Sequence, residues 1–575
     1  FGEYCKMNDF YNNSFYNQKY SGIKVLVLVP HEDDEINLAG SMIVNFINLG
    51  AEVYVCFSTN GDYQISAEVR LKEAANSLVV LGCKKENIFF LGYGDTLNGS
   101  KFRHIFYSDK QRVKSPAGRC ETYGGAGFSD YACKKRKRHS EYTKYNYKCD
   151  LQELILDLSA DIIICVDFDS HADHRMLSLL FDKVIGEILA CPDNVYMPQI
   201  FKGFAYSTAY FAVKDFYSDN ILSTQHPSNN IAKDNVTDLI DLSNYEWKSR
   251  IRFPLPKICI SHFLNTNIIV KALKKHRSQH AVLHAESIIN GDTVLFERRT
   301  DSITYQASVL TSSGNAECLN DFSLINTDDI DNFEIHLTNY LWNPKENDPD
   351  KTAVLEWLRP QTVSFIRIYG NVEDSSRVRN IRIVFDNGFT VETGVLPAKG
   401  IPLDIVIPEQ REIKKCALQI LAWSGKNYGI AECELFSAAE QHSFIKPFIK
   451  LMIDDNFIYS YECSKAVSKI KLDIFRYHVT GDIKVVIVNS DAKISDMTVT
   501  FGLVDEIVVR AYLLGDERIF DQVTIKRVSR FYQKYICVLQ SLDKFWLYFI
   551  GRMQRKYYFL KVNGICATIK SIIKK

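Results

Sequence analysis

The sequence predicts an α/β protein built on a doubly wound, mostly parallel sheet, followed by a β-sandwich and a strand-rich C-terminal region with a helical tail. Three observations predict it. Short, continuous apolar runs alternate with helical stretches through the first 300 residues. From about Thr300 the texture changes to short alternating runs broken by turn signals. From Phe531 an aromatic and basic tail returns to helical spacing.

Lys24–Val29 (KVLVLV) is an apolar, valine-rich run too short for a buried helix, which reads as an interior strand. Helical spacing follows Gly40 over Ile43–Leu49. Glu52–Ser58 is a second strand, and Ala67–Leu81 a helix stopped by Gly82. Asn87–Leu91 (NIFFL) and Asp161–Val166 (DIIICV) complete a set of parallel-type strands, whose carboxyl ends are where such sheets bind ligands. Farther on, Ser364–Tyr369, Asn380–Phe385 and Ala417–Leu421 alternate, with Asp386-Asn387-Gly388 as a turn, in the manner of a sandwich or jelly roll. Pro447–Val528 is again strand-rich. In the tail, Phe531–Lys575, the longest uncharged run is Phe545–Gly551, too short to span a bilayer. The tail is expected to pack an amphipathic face on the sandwich, with weak contact to a membrane surface as the alternative. The expected domains are residues 1–300, 301–440 and 441–575.

Composition bounds the function. A chain of 575 residues needs more than one core, and two to four domains are expected. Lys+Arg and Asp+Glu both total 69, so no global field draws the chain to nucleic acid. Fifteen cysteines, odd in number and irregular in spacing, form no disulfide framework. Reduced thiols of this kind point to the cytoplasm. No charged and then apolar leader opens the chain. The first residue is Phe rather than Met, so the natural start is expected to lie upstream.

The chemistry-bearing residues stand in two clusters. Pro30-His31-Glu32-Asp33-Asp34-Glu35 follows the first strand, and taken alone it reads equally well as a solvated acidic loop. Asp167-Phe168-Asp169-Ser170-His171-Ala172-Asp173-His174 follows the strand Asp161–Val166. Two such clusters at equivalent strand ends can converge on one point. Histidine nitrogens and carboxylate oxygens in a three-ligand set make a catalytic zinc site, with no cysteine needed.

The pair PHEDDE and HADH resembles the PIG-L (LmbE-like) deacetylases, whose motifs are H-P-D-D-E and H-x-x-H. The resemblance covers about residues 20–300. It extends to Thr59-Asn60-Gly61-Asp62, Arg70 with Glu73, Leu91-Gly92-Tyr93-Gly94-Asp95 and His276-Arg277-Ser278-Gln279. It implies a Rossmann-like fold and a metal-dependent hydrolase of linear amide bonds. The implied substrate is an N-acetylhexosamine, N-acetylglucosamine-like, in a glycan or glycoconjugate, and the implied cofactor is Zn2+. His31, Asp34 and His174 become the expected zinc ligands, and Asp33 the general base. His171 becomes a stabiliser of the oxyanion, with either Asp33 or His171 protonating the leaving amine. Glu35 is expected to hold the loop or a ligand. The chain departs from the family at Glu32, which stands where the family has proline and leaves the loop without that stiffening.

Arg70 and Asp95 resemble positions that hydrogen-bond sugar hydroxyls; an ion pair and a turn are the plainer readings. His276 and Gln279 either line the pocket or sit on a surface helix. The basic run Cys133–His139 is read as solvated, with anion binding as the alternative. Residues 301–440 resemble discoidin-like (F5/8 type C) carbohydrate-binding sandwiches, on Trp342-Asn343-Pro344, Glu356-Trp357, Ile368-Tyr369-Gly370-Asn371 and Gly425-Lys426-Asn427-Tyr428-Gly429-Ile430. Two other functions compete with the deacetylase: a zinc amidase on another amide, and a glycan-binding protein with a silent hydrolase domain.

Overall fold

The computed structural model describes residues 14–205, 250–259, 264–284, 292–332, 337–373, 375–440, 442–453, 456–457, 460–465, 467, 469–490 and 492–573. Five parallel strands carry the first sheet: β1 (Lys24–Val29), β2 (Glu52–Thr59), β3 (Ile88–Tyr93), β4 (Ile162–Val166) and β5 (Gln199–Gly203). Two more, β6 (Ile251–Phe253) and β7 (Thr293–Arg298), pair antiparallel at one edge. The resulting order is β3-β2-β1-β4-β5-β7-β6. All of β4 and nearly all of β1 are buried, which is why both read as unbroken apolar runs. Chain order reverses between β1 and β4. These two strands are direct parallel neighbours, from Val25 opposite Ile162 to Leu28 opposite Cys165. Their carboxyl ends therefore open onto the crevice where doubly wound sheets bind ligands.

Helices α1 (Asp34–Asn48), α2 (Ala67–Val80), α3 (Tyr131–Arg136), α4 (Lys144–Leu158) and α5 (Ala172–Leu189) complete the α/β region. The helix expected after Gly40 begins earlier, at Asp34. Asp34 and Glu35 fill its first turn, where free N–H groups and the helix dipole favour carboxylates. Strands β5 to β7 gave no sequence signal. In β5 the reason is visible: Lys202 is fully buried, its ammonium 2.7 Å from Asp182 and 3.2 Å from Asp167.

Beyond Arg298 come β8 (Ser308–Thr311), β9 (Thr352–Gly370), β10 (Arg377–Phe385), β11 (Thr390–Glu392), β12 (Leu403–Ser424) and β13 (Ile430–Phe436). They form an antiparallel sheet ordered β11-β10-β12-β9-β13, with β8 added to β9. The long strands β9 and β12 slip in register between Val406 and Lys415, and both ends of the pair feed one core. Trp342, Trp357, Tyr369 and Tyr428 are buried in packing positions rather than displayed. Residues 448–528 add two further sheets, of five and four strands. The tail is one helix, Arg530–Ile573. It packs on residues 264–284 of the α/β region, where Asp543 accepts from the Leu264 N–H at 2.6 Å.

The segment Asp321–Ile330 closes over α5. Arg175, the residue after His174, donates from Nε to the Ile330 carbonyl at 2.9 Å and from Nη1 to that of Asp169 at 3.0 Å. Gly186 lies so close that a Cβ there would stand 2.2 Å from the Asp321 carbonyl oxygen. Gly186→Ala is therefore expected to force the segment off α5 and to destabilise the protein by about 1–3 kcal/mol. Thermal denaturation checks this; an unchanged melting temperature would show that the contact is open in solution.

Candidate metal centre

Both motifs lie where a strand of the sheet gives way to a helix. His31 ends two residues past β1, and Asp34 opens α1; His171 caps α5, and His174 stands in its first turn. Because β1 and β4 are neighbours, the two helix starts converge. His31 Nδ1 lies 3.1 Å from Asp34 Oδ2 and 3.2 Å from His174 Nε2, and His174 Nε2 is 3.1 Å from Asp34 Oδ2. The three atoms form a nearly equilateral triangle. Ligands about 2.0–2.1 Å from a tetrahedral ion stand about 3.3–3.4 Å apart, so this donor set fits a zinc-sized cation.

The opposite ring nitrogens are fixed by carboxylates. His31 Nε2 faces Asp173 Oδ2 at 3.1 Å, and His174 Nδ1 faces Asp169 Oδ2 at 2.8 Å. That is the backing which metal-binding imidazoles need to hold tautomer and orientation. Asp173 is held in turn by His104 Nε2 at 2.8 Å and the Thr96 N–H at 3.1 Å. The second oxygen of Asp34 is buried with no hydrogen-bond partner among the described residues, as expected of a carboxylate that faces a cation. Single ligand atoms of His31, Asp95, His171 and Asp173 also lie within 4.8 Å of one another, as do those of His31, His171 and His174.

Electrostatics separate the members. Burial works against charge on His31, yet Asp95, Asp173 and Asp34 hold its pKa well above the ordinary histidine value. Burial also opposes charge on Asp34, but His174 and His31 beside it pull its carboxyl far below the usual range. Burial lowers and Asp169 and Asp34 raise His174, which ends at about 9. Asp33 is pushed up to about 6 by burial, against the pull of Arg70. His171 is pushed down to about 4, by burial and then by His31. The side chains of Asp33 and His171 are 19% and 15% exposed, whereas those of Asp34 and His174 are 0%. Asp33 and His171 thus line the mouth of the centre, and Asp34 and His174 lie beneath.

Asp33 itself is strained. Its φ of 141° is a sparsely populated conformation for a residue with a side chain, of the kind that costs about 1–3 kcal/mol and persists only where neighbours impose it. The neighbours are identifiable. The Asp33 N–H donates to Glu35 Oε2 at 2.8 Å, and Glu35 Oε1 meets buried His276 at 2.9 Å. Arg70 donates to the Glu32 carbonyl at 2.9 Å and lies 3.3 Å from the Glu32 carboxylate and 3.6 Å from that of Asp33. Glu32 is fully buried under Gly61, whose position allows no Cβ: one would stand 2.2 Å from Glu32 Oε2. The buried ion pair thus stiffens the loop at the position where the family carries proline.

The structure accordingly places Arg70 beneath the loop, with its donors turned to Glu32 and Asp33. Asp95 lies 3.5 Å from His31 Nε2, positioned by its N–H to Asp62 Oδ1 at 2.9 Å. His276 supports Glu35, and Gln279 donates to Ser278. Within the basic run Lys135 pairs with Asp157, Arg136 with Asp150 and Glu153, and His139 with Asp130, while Lys134, Lys137 and Arg138 are exposed. Sequence reasoning assigned no role to Asp169, Asp173 or His104. The first two stood inside the second cluster, whereas His104 lies in a loop with no pattern around it.

Residues 26–185 match the family described as GlcNAc-PI de-N-acetylase, PIG-L, and residues 302–436 match a domain of unknown function, DUF7402. A probable N-acetylglucosaminyl-phosphatidylinositol de-N-acetylase of Dictyostelium discoideum is 31% identical over 84 residues, 15% of this chain. The match spans a third of that relative's length, 33%. Among solved structures, the N,N'-diacetylchitobiose deacetylase of Pyrococcus horikoshii is similar at 18% identity, over 51% of this chain and 88% of that one, with a TM-score of 0.26. A family 32 carbohydrate-binding module from Clostridium perfringens, solved with galactose, is similar at 14% identity, over 22% of this chain and 90% of that one, with a TM-score of 0.18. The chain thus carries a PIG-L family domain at residues 26–185, which holds both halves of the His31, Asp34 and His174 triangle.

Proposed function

We propose that the protein is a zinc-dependent N-deacetylase that removes the acetyl group from an N-acetylhexosamine unit of a glycan or glycoconjugate. The single observation that supports this best is the triangle of His31 Nδ1, Asp34 Oδ2 and His174 Nε2, with Asp33 and His171 at its rim. His31, Asp34 and His174 would hold the ion, which when bound supplies Lewis acidity to the amide carbonyl and lowers the pKa of water at the site.

The remaining steps belong to the chain's own residues. Asp33, pushed up to about 6, is deprotonated at neutral pH and accepts a proton from the attacking water at its carboxylate. His171 Nδ1 accepts the Asp173 N–H at 3.2 Å, so the neutral ring carries its proton on Nε2. That N–H donates to the carbonyl oxygen as negative charge develops there. With His171 held neutral and its Nδ1 engaged, Asp33 is the group that returns the proton to the departing amine. Asp169 and Asp173 hold the imidazoles, and Glu35 and Arg70 hold Asp33. Arg70 is a positioning residue in this scheme, and Asp95, beside His31 Nε2, is proposed to meet a sugar hydroxyl.

Residues 1–300, 301–440 and 441–575 are proposed as catalytic, sandwich and strand-rich units. The second also braces the first, through Ile330 and Arg175. The thirteen cysteines whose side chains are described are free thiols, which supports residence in the cytoplasm. The 575-residue chain loaded with zinc should release acetate from N-acetylated amino sugars of increasing length. Acetate from other acylated amines but from no amino sugar would assign the same machinery to a different amide.

A further inference from the structure

The C-terminal helix turns its more apolar face to solvent. On the inner side Gln540 and Leu547 are buried, and Asp543 accepts from the Leu264 N–H and from Asn265 Nδ2, both at 2.6 Å. On the outer side Phe531, Tyr535, Val538, Leu542, Phe545 and Phe549 follow one another at alternating steps of four and three, each between 47% and 81% exposed. A helix in water normally has the opposite arrangement, with polar groups out and apolar groups in. The outer stripe is also bordered by charge of one sign. Residues 530–573 contain eight Lys and Arg against one acid, Asp543, which is engaged on the inner side. At about 100° per residue, Arg530, Lys534, Lys544, Arg552 and Arg555 fall along one edge of the exposed arc.

The partner of such a surface must be apolar and anionic together. A second copy of the helix would bring the same positive edge against it, which like charges oppose. Among the described residues no helix is long and apolar enough to cross a membrane. A helix of this kind can instead lie in the plane of the lipid interface, aromatics in the headgroup layer and cations against acidic lipids. We propose that the helix Arg530–Ile573 docks the protein on an anionic lipid surface. Because Asp543 and the packing on Ala281–His284 tie it to the segment 264–284, docking brings the α/β region to the same surface. Within that segment His276 supports Glu35 and hence Asp33, so the segment that carries the helix also supports the Asp33 loop.

Co-sedimentation of the full chain with lipid vesicles tests the docking. Vesicles of phosphatidylcholine carrying roughly 30% phosphatidylserine should retain the protein, while phosphatidylcholine alone should not, and salt should weaken the retention. The double substitutions Phe545→Ser with Phe549→Ser, and Arg552→Glu with Arg555→Glu, should each weaken it at least about tenfold. Both pairs are solvent-facing, so circular dichroism and melting temperature should stay those of the parent. Trp emission should shift to the blue with the acidic vesicles, and the shift should vanish in Trp546→Phe. Equal retention by both vesicle types, or by neither, overturns the proposal. So does self-association of the free protein that Phe545→Ser with Phe549→Ser abolishes, which would make a second copy the occupant.

Discussion

Alanine at Asp34 or at His174 is expected to empty the centre, taking metal content from about one ion per chain to near none. Acetate release should fall by about 10³-fold or more with it. The size of the effect follows from burial. Asp34 is wholly buried between two imidazoles, and it is the carboxylate that brings their nitrogens within 3.1 Å of one oxygen. Without it, His31 and His174 face each other at 3.2 Å with no anion between them. Asp169 and Asp173 are already committed to the far sides of the rings and cannot replace it. Removal of His174 takes out one corner of the triangle and also takes from Asp169 Oδ2 its imidazole partner. Elemental analysis of both purified variants checks this. Unchanged metal in both would contradict the ligand assignment and point to the other cluster, His31, Asp95, His171 and Asp173.

Asparagine at Asp33 should separate base from ligand. The amide preserves shape but cannot take up a proton, so metal should remain while turnover falls by about 10²–10⁴-fold. The pH profile gives an independent signature. A base must be deprotonated to act, so the parent's rate should fall as pH drops through the pKa of Asp33. Burial pushes that pKa up to about 6. A bound cation can only lower it, which places the acid limb at or below about pH 6. The limb should be absent in the residual activity of Asp33→Asn. Near-parental turnover would exclude Asp33 as the base, and loss of metal would make it a ligand.

Much of this architecture was legible in the chain because the informative signals are local. β1 and β4 are buried on both faces, and their residues say so directly. The clusters after them are contiguous, and one pairing of strands brings them together. The strand β5 was not legible. Gln199 and Lys202 look solvated, and only Asp182 and Asp167, brought in from α5 and the end of β4, neutralise the buried ammonium. The start of α1 was missed for a related reason: its first turn consists of the site residues, whose acidity disguised a helix N-terminus. The direction of Arg70 could not be read at all, because a guanidinium beside a pocket serves a loop or a ligand equally well. Its place under Glu32 also explains how the loop is held without proline. Nor could the sequence show that Ile330 covers Arg175. That contact uses a backbone carbonyl, which any residue would supply.

The most direct test is acetate release by the full chain from an N-acetylglucosamine-bearing saccharide, measured as isolated, after removal of metal by a chelator, and after zinc is restored. Activity should disappear with the metal and return with zinc in proportion to occupancy, up to about one ion per chain. The same rate from protein shown by elemental analysis to hold no metal, or no acetate from fully zinc-loaded, folded protein, would contradict the assignment of His31, Asp34 and His174 as a catalytic metal centre.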